Sequence, residues 1–483
     1  MSAENTVGLE GYARVSSLFG WFVILAMIVL AGVSLAVNPL LTLLTAIVCV
    51  SAFFLLGRIE VVVWLIVFLT PLETFLNVSF VHTKVIKLAL VAFSIFSAFV
   101  FVRVRKDSER GDTEDPYRLP LVLLLASGFI ATVLAQSPLQ SLFGFSSLLL
   151  FVFYYFGLLR VTFLGRLGPR LLRTVVFVAV PSAILALLQM TQGYGRLLGS
   201  REQQAAEEEL RTLWPSIERA SAAFNGPNAA GSFLGVATIV ALLHAIVLRQ
   251  NRKRYLVFAL LSVLGMFATF SRGALLGLMV GLGFAAWRLG YFRVRWRLAM
   301  AAAFVMAMTG MLILSEDART FFRLGTDLIS VSESRVDAWE ATLTIIHRNP
   351  VTGIGFYGFQ EIARGIEGVS DTTIHPHNGV LKALVEQGPL GGFAYLLLLW
   401  TFIRLAARPL RILPGSEDEW VWITIGSVGL CLFTHELFDA GFTVGGSSMA
   451  ILFATLLALQ VQIFRLATVE ERPVVPTAQA HPI

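Results

Sequence analysis

Long apolar stretches alternate with short polar breaks along this chain, at the spacing of membrane spans. A span needs about 20 mostly apolar residues. Such stretches cover residues 19–37, 40–57, 60–76, 85–103, 119–136, 139–160, 174–191, 230–249, 255–271, 274–288, 298–315, 389–406, 420–438 and 446–465. The pattern predicts an all-α polytopic membrane protein with about 12–14 transmembrane helices. Two longer polar segments interrupt it. They divide the chain into N-terminal transmembrane helices (1–191), a first insert (192–229) and further transmembrane helices (230–315). A large loop with short amphipathic helices (316–388), C-terminal transmembrane helices (389–465) and a tail (466–483) follow. Pro473, Pro476 and the lack of apolar pattern predict a disordered tail.

Charge gives the chain a direction. Basic residues cluster after every second span: Arg103, Arg105 and Lys106; Arg160, Arg166, Arg170 and Arg173; Arg249, Arg252, Lys253 and Arg254; Arg288, Arg293, Arg295 and Arg297; Arg404, Arg408 and Arg411. Short cytoplasmic loops carry such an excess. Both termini are then cytoplasmic and both inserts external. The net charge of +6 is accounted for in large part by these loops, so no nucleic-acid partner is expected. Charged residues make up 14% of the chain, against about 25% in soluble proteins. Cys49 and Cys431 fall inside spans and read as small buried residues, giving neither a disulfide framework nor a thiolate metal site. The first apolar stretch lacks a small-residue cleavage site and reads as a retained span.

Candidate chemistry gathers on the external side. The first insert ends Arg219-Ala220-Ser221-Ala222-Ala223-Phe224-Asn225-Gly226-Pro227-Asn228. Asn-Gly-Pro-Asn is a turn sequence, and Asn228 is placed to cap the next span. Ser271-Arg272-Gly273 is a three-residue external connection. An arginine there is a headgroup-snorkelling residue or an anion contact, and the cost of arginine near a bundle favours the second. In the large loop, Ser334-x-x-Asp337 resembles a capping box. It predicts an amphipathic helix of about 12 residues on the membrane surface, with Val336, Trp339, Leu343 and Ile346 on its apolar face. Arg335 would then stand at a helix N-terminus, a setting that favours anions. Trp339 reads first as a headgroup-level anchor.

His375-Pro376-His377-Asn378 precedes an expected short helix, Gly379 to Gln387, capped by Asn378 and stopped by Gly388-Pro389. A histidine just outside that N-terminus is held neutral, as a general base requires. Two histidines without a clear third ligand are not a zinc motif, so no metal and no cofactor are expected. Weaker candidates on the same face are His82, Lys84 and Lys87; His435, Glu436 and Asp439; and Glu386. His244, inside a span, reads as a packing histidine.

Four features in order resemble the O-antigen ligase and polymerase superfamily. They are Arg219-x-x-x-x-Phe224-x-x-Pro227-Asn228; Ser271-Arg272-Gly273-Ala274; Arg335-x-x-x-Trp339 with Pro350-x-x-Gly353-x-Gly355; and His377-Asn378-x-x-Leu381 leading to Glu386-Gln387-Gly388. The resemblance implies a metal-independent, inverting glycosyltransferase of GT-C architecture in the bacterial inner membrane, with its site facing the periplasm. Its donor would be a glycan on undecaprenyl pyrophosphate. Its acceptor would be the lipid A–core oligosaccharide in the ligase branch, or a second lipid-linked repeat unit in the polymerase branch. His377, Arg335 and Arg272 are then the catalytic candidates. Arg219, Asn228, His375, Asn378, Trp339, Lys84, Lys87, His435 and Glu436 are the substrate-binding candidates. Either His375 or His377 can be the base. A transporter would instead place paired charges at mid-membrane, and a scaffold would leave Arg335 and His377 dispensable.

Overall fold

The computed structural model describes residues 63, 77–78, 83–84, 115–160, 164–192, 219–222, 224, 226–290, 328–366, 375–410, 412–440 and 448–469. The chain divides into two compact units, 1–66 and 67–483, and residues 77–469 belong to the second. Apart from a two-residue antiparallel pairing, β1 (Asn77–Val78) with β2 (Thr83–Lys84), its described elements are helices. They are α1 (Arg118–Val133), α2 (Pro138–Arg160), α3 (Leu164–Gln192), α4 (Pro227–Leu243), α5 (Arg252–Ala268), α6 (Arg272–Arg288), α7 (Leu328–Arg348), α8 (Phe359–Ala363), α9 (Gly379–Ala407), α10 (Glu417–Glu436) and α11 (Ser448–Val469).

Among the described residues, α2, α3, α4 with its π-helical extension His244–Leu248, α9 and α11 are long and apolar enough to cross a membrane. The chain is an all-α, multi-pass membrane protein. Helices α1, α5, α6 and α10 fall on further expected spans. The expected spans 19–37, 40–57, 85–103 and 298–315 lie outside the described residues, as do all but Val63 of 60–76, Cys49 and the tail beyond Val469. Apolar side chains such as Phe129, Leu139, Phe143, Phe393 and Trp400 face outward, as a lipid-facing surface allows.

Helix α4 is the centre. Its residues from Ala230 to Ala241 are buried without a break, against α3, α5, α6 and α10. The tightest pair is α6 with α10. Gly273, Gly277 and Gly281 recur every four residues on one face of α6. A Cβ at Gly277 would stand 2.5 Å from the Cys431 carbonyl oxygen, and one at Gly281 2.6 Å from that of Ser427. The backbones approach this closely because the stripe has no side chains, the small-residue packing typical of membrane helices. Cys431 is buried in this seam, as expected for a small core residue. His244 stacks on Tyr255 with ring centroids 3.5 Å apart and meets Trp420 edge-on, which makes it the packing histidine expected.

Helix α9 is two helices joined at a kink. Gly388 has φ 69° and ψ −172°, so Gly388-Pro389 ends the first segment where the sequence predicts. Pro389 has no N–H and cannot satisfy the Val385 carbonyl four residues back. The loop after α7 does so instead. Ile354 N–H donates to Val385 O and Gly355 N–H to Glu386 O, both at 3.0 Å. Gly353 is required for this approach: its φ is +70° and a Cβ would lie 2.6 Å from Glu386 O.

Helix α7 departs from expectation. It begins at Leu328, so Ser334 is not its cap, and Arg335 lies in its second turn rather than at an N-terminus. The local Ser-x-x-Asp signal is overridden by helix-compatible residues before it. Its buried face is also different. Ala338, Ala341, Thr342 and Ile345 are buried while Leu343 is 57% exposed. Ala341 and Ile345 join Ile354, Phe359, Ala363 and Val385 in a small core, so α7 packs on protein through this face.

Candidate functional site

The helix ends described above converge around one carboxylate, Asp439, three residues beyond α10. Its backbone N–H donates to His435 O at 3.1 Å, which continues the turn of α10. Its Oδ2 accepts a 2.7 Å hydrogen bond from Asn228 Nδ2. Asn228 Oδ1 in turn accepts from Arg219 Nη2 at 2.9 Å and from Ser271 Oγ at 3.2 Å. Arg219 is anchored again by Nε, which donates to Thr269 O at 3.1 Å. Asn228 is therefore not the cap of α4. Gly226 holds the N-cap position and Pro227 the first helical one, where its missing N–H costs nothing. The Asn228 amide bridges an arginine and a carboxylate instead.

On the other side of Asp439 stand the two histidines. His377 Nδ1 lies 3.6 Å from Asp439 Oδ1 and His375 Nε2 3.8 Å from the same oxygen. Their rings are 4.1 Å apart. His377 has φ 49°, a left-handed conformation that is uncommon for a non-glycine residue and costs energy. The chain can hold it because Asn378 caps α9 as predicted. Asn378 Oδ1 accepts from Val380 N–H at 2.9 Å and Leu381 N–H at 3.0 Å, and Nδ2 donates to Leu437 O at 3.2 Å. Gly379 admits Glu436 against the start of the helix, since a Cβ there would meet Glu436 Cγ at 2.4 Å. Burial by itself would raise the Asp439 carboxyl. The facing imidazole of His377, with His375 and His435 nearby, outweighs it and holds the group well below the usual carboxylate range.

His375, His377 and Asp439 bring three ligand-type atoms within 4.8 Å of one another and are the residues that could hold a metal. One contact argues against that use. The His377 N–H donates to His375 Nδ1 at 3.2 Å. That leaves the proton of a neutral His375 ring on Nε2, facing Asp439 as a donor and not as a lone pair. In this arrangement the donor set holds protons around one carboxylate.

Residues 257–396 match the family model for O-antigen ligase. That stretch is similar to the O-antigen ligase family. No curated protein matches the chain. The matched stretch contains Ser271-Arg272-Gly273, Arg335, Trp339, His375, His377 and Asn378. Arg219, Asn228, His435, Glu436 and Asp439 lie outside the matched stretch yet wire into it. The match supports a function of the O-antigen ligase or polymerase type in general.

The other expected site residues fall as follows. Arg272 is exposed at the first position of α6, behind Ser271, whose Oγ caps the helix by accepting from Ala274 N–H. Arg335 lies on α7, and the Trp339 indole nitrogen on that helix is buried with no acceptor among the described residues. His435 and Glu436 are buried, which sets them behind the site surface. Lys84 pairs through its backbone with Asn77 in the β1–β2 ladder, and Lys87 and His82 lie outside the described residues. Asp439 was noted in the sequence only beside His435 and Glu436. No motif surrounds it, and only the folded chain makes it the meeting point. Lys382 gave no sequence signal, yet it stands one turn before Glu386 on α9, whose carboxylate is the largest electrostatic influence on it.

Proposed function

We propose that the chain is an O-antigen ligase-like glycosyltransferase, of GT-C type, at the periplasmic face of the bacterial inner membrane. It moves a glycan from undecaprenyl pyrophosphate to lipid A–core oligosaccharide. The observation that carries this reading is the line Arg219–Asn228–Asp439–His377, which sets one imidazole against a buried carboxylate at the face where Arg272 begins α6.

Glycosyl transfer from a pyrophosphate needs two things: a base for the acceptor hydroxyl and positive charge for the leaving group. His377, with Nδ1 toward Asp439, offers Nε2 to the acceptor O–H. Asp439 fixes the tautomer and stabilises the imidazolium that forms, the role a carboxylate plays behind a catalytic histidine. The acceptor oxygen attacks the anomeric carbon as the bond to the phosphate oxygen breaks. The pyrophosphate leaves with the bonding electron pair, the proton rests on His377, and the anomeric centre inverts. Arg272 and Arg335 hold the departing charge, which guanidinium groups do bidentately and at any relevant pH. No metal is needed for either role. His375, Asn378 and Trp339 line the acceptor side in this reading.

The test is transfer by purified protein in detergent, with an undecaprenyl-pyrophosphate-linked oligosaccharide and chelator present. Lipid A–core and a second lipid-linked repeat are offered separately. Transfer to lipid A–core is the expected result. Extension of the lipid-linked repeat instead would make the protein a polymerase. Transfer to neither would return a lipid or polysaccharide transporter to first place.

A further inference from the structure

The last turn of α10 touches every part of the site. Leu437 O accepts from Asn378, Glu436 lies against Gly379, and Asp439 hangs from the His435 carbonyl. His435 itself faces the opposite way, toward the start of α6. Its Nε2 and Ser271 Oγ are 3.4 Å apart. A Cβ on Gly273 would stand 3.0 Å from His435 Cδ2, so the imidazole lies directly on the two residues that flank Arg272. Its side chain is 1% exposed. A buried polar ring placed this way is costly unless its hydrogen bonds are made. The apolar seam of α6 and α10 would have been filled more cheaply by leucine.

We infer that His435 is a positioning residue that couples the anion contact at Arg272 to the proton acceptor at His377. Through Ser271 it fixes where α6 begins and so where Arg272 projects. Through its backbone carbonyl it fixes the turn that presents Asp439 to His377. It touches neither substrate. This rests on the reading of Arg272 and His377 given above.

The test compares His435→Gln with His435→Leu in the transfer assay. Both fill the site, and only glutamine can keep the bond to Ser271. His435→Gln should transfer at close to the wild-type rate. His435→Leu should lower kcat by about 10- to 100-fold with KM little changed, as misplaced catalytic groups do. Adding Ser271→Ala to His435→Leu should cost less than Ser271→Ala alone costs in wild type, because the bond to His435 is already gone, while the α6 cap and the bond to Asn228 are lost in both backgrounds. If His435→Leu does not fold, His435→Gln and the single Ser271→Ala carry the test, with the second expected to lower kcat. Glutamine as damaging as leucine, or leucine as active as wild type, overturns the coupling. Wild-type transfer that survives His377→Ala overturns the underlying reading, and the coupling with it.

Discussion

The two ends of the first segment of α9 are held by different kinds of bond. At its N-terminal end, the side chains of His375 and His377 meet that of Asp439, which Asn228 and Arg219 back in turn, and the Asn378 side chain caps the helix. At its C-terminal end, the kink at Gly388 is held by backbone hydrogen bonds from Ile354 and Gly355 and by the small core around Ile345 and Phe359. The first end depends on which side chains are present and the second on shape. In the proposed reading chemistry belongs at the first, while the second keeps the segment in place.

Substitutions can break that division. The largest expected effect is at the side-chain end. His377→Ala should lower transfer by about 10²- to 10⁴-fold, the range for losing a general base, with a much smaller effect on stability than on rate. A large loss of thermal stability with activity retained would contradict it. At the shape end, Ile345→Ala should destabilise by about 2–5 kcal/mol, the usual cost of truncating a buried side chain. Activity per folded molecule should hold. Thermal unfolding in detergent, normalised by size-exclusion, measures both.

Acid titration sharpens the contrast. The folded state holds the Asp439 carboxyl below its ordinary value of about 4. Its contribution to stability is therefore full above that ordinary value and is lost as pH falls through the lower folded one. Wild type should lose stability on that acid limb, and Asp439→Asn should lose less there. Equal limbs in the two proteins would show that the cluster does not hold the carboxylate. The smallest effect is at the helix start. Asn378→Ala removes the cap of α9 and should cost about 1 kcal/mol. It should also lower kcat, because the left-handed His377 loses its anchor. A stability change without a rate change would separate the cap from the base.

What the sequence made legible was local. Asn378 as cap, Gly388-Pro389 as a stop and His377 at the helix entrance follow from side-chain chemistry within a few residues, and the fold keeps them. The start of α7 was misplaced because a capping signal at Ser334 lies inside a longer helix. Asn228 was misread because the cap position falls to Gly226, which frees its amide for Arg219 and Asp439. Asp439 could not be singled out, since its partners come from three distant segments. The stripe Gly273, Gly277, Gly281 was present in the sequence inside an apolar stretch, and only the approach of α10 gives it meaning. That seam brings His435 to Ser271.

The most direct test of the central claim is single-turnover transfer from the undecaprenyl-pyrophosphate donor as a function of pH, for wild type, His377→Ala and Asp439→Asn. The side-chain cluster predicts that His377→Ala loses the chemical step and that Asp439→Asn, which keeps the shape but not the charge, slows it substantially. Chemistry at wild-type rate in both variants would contradict the account.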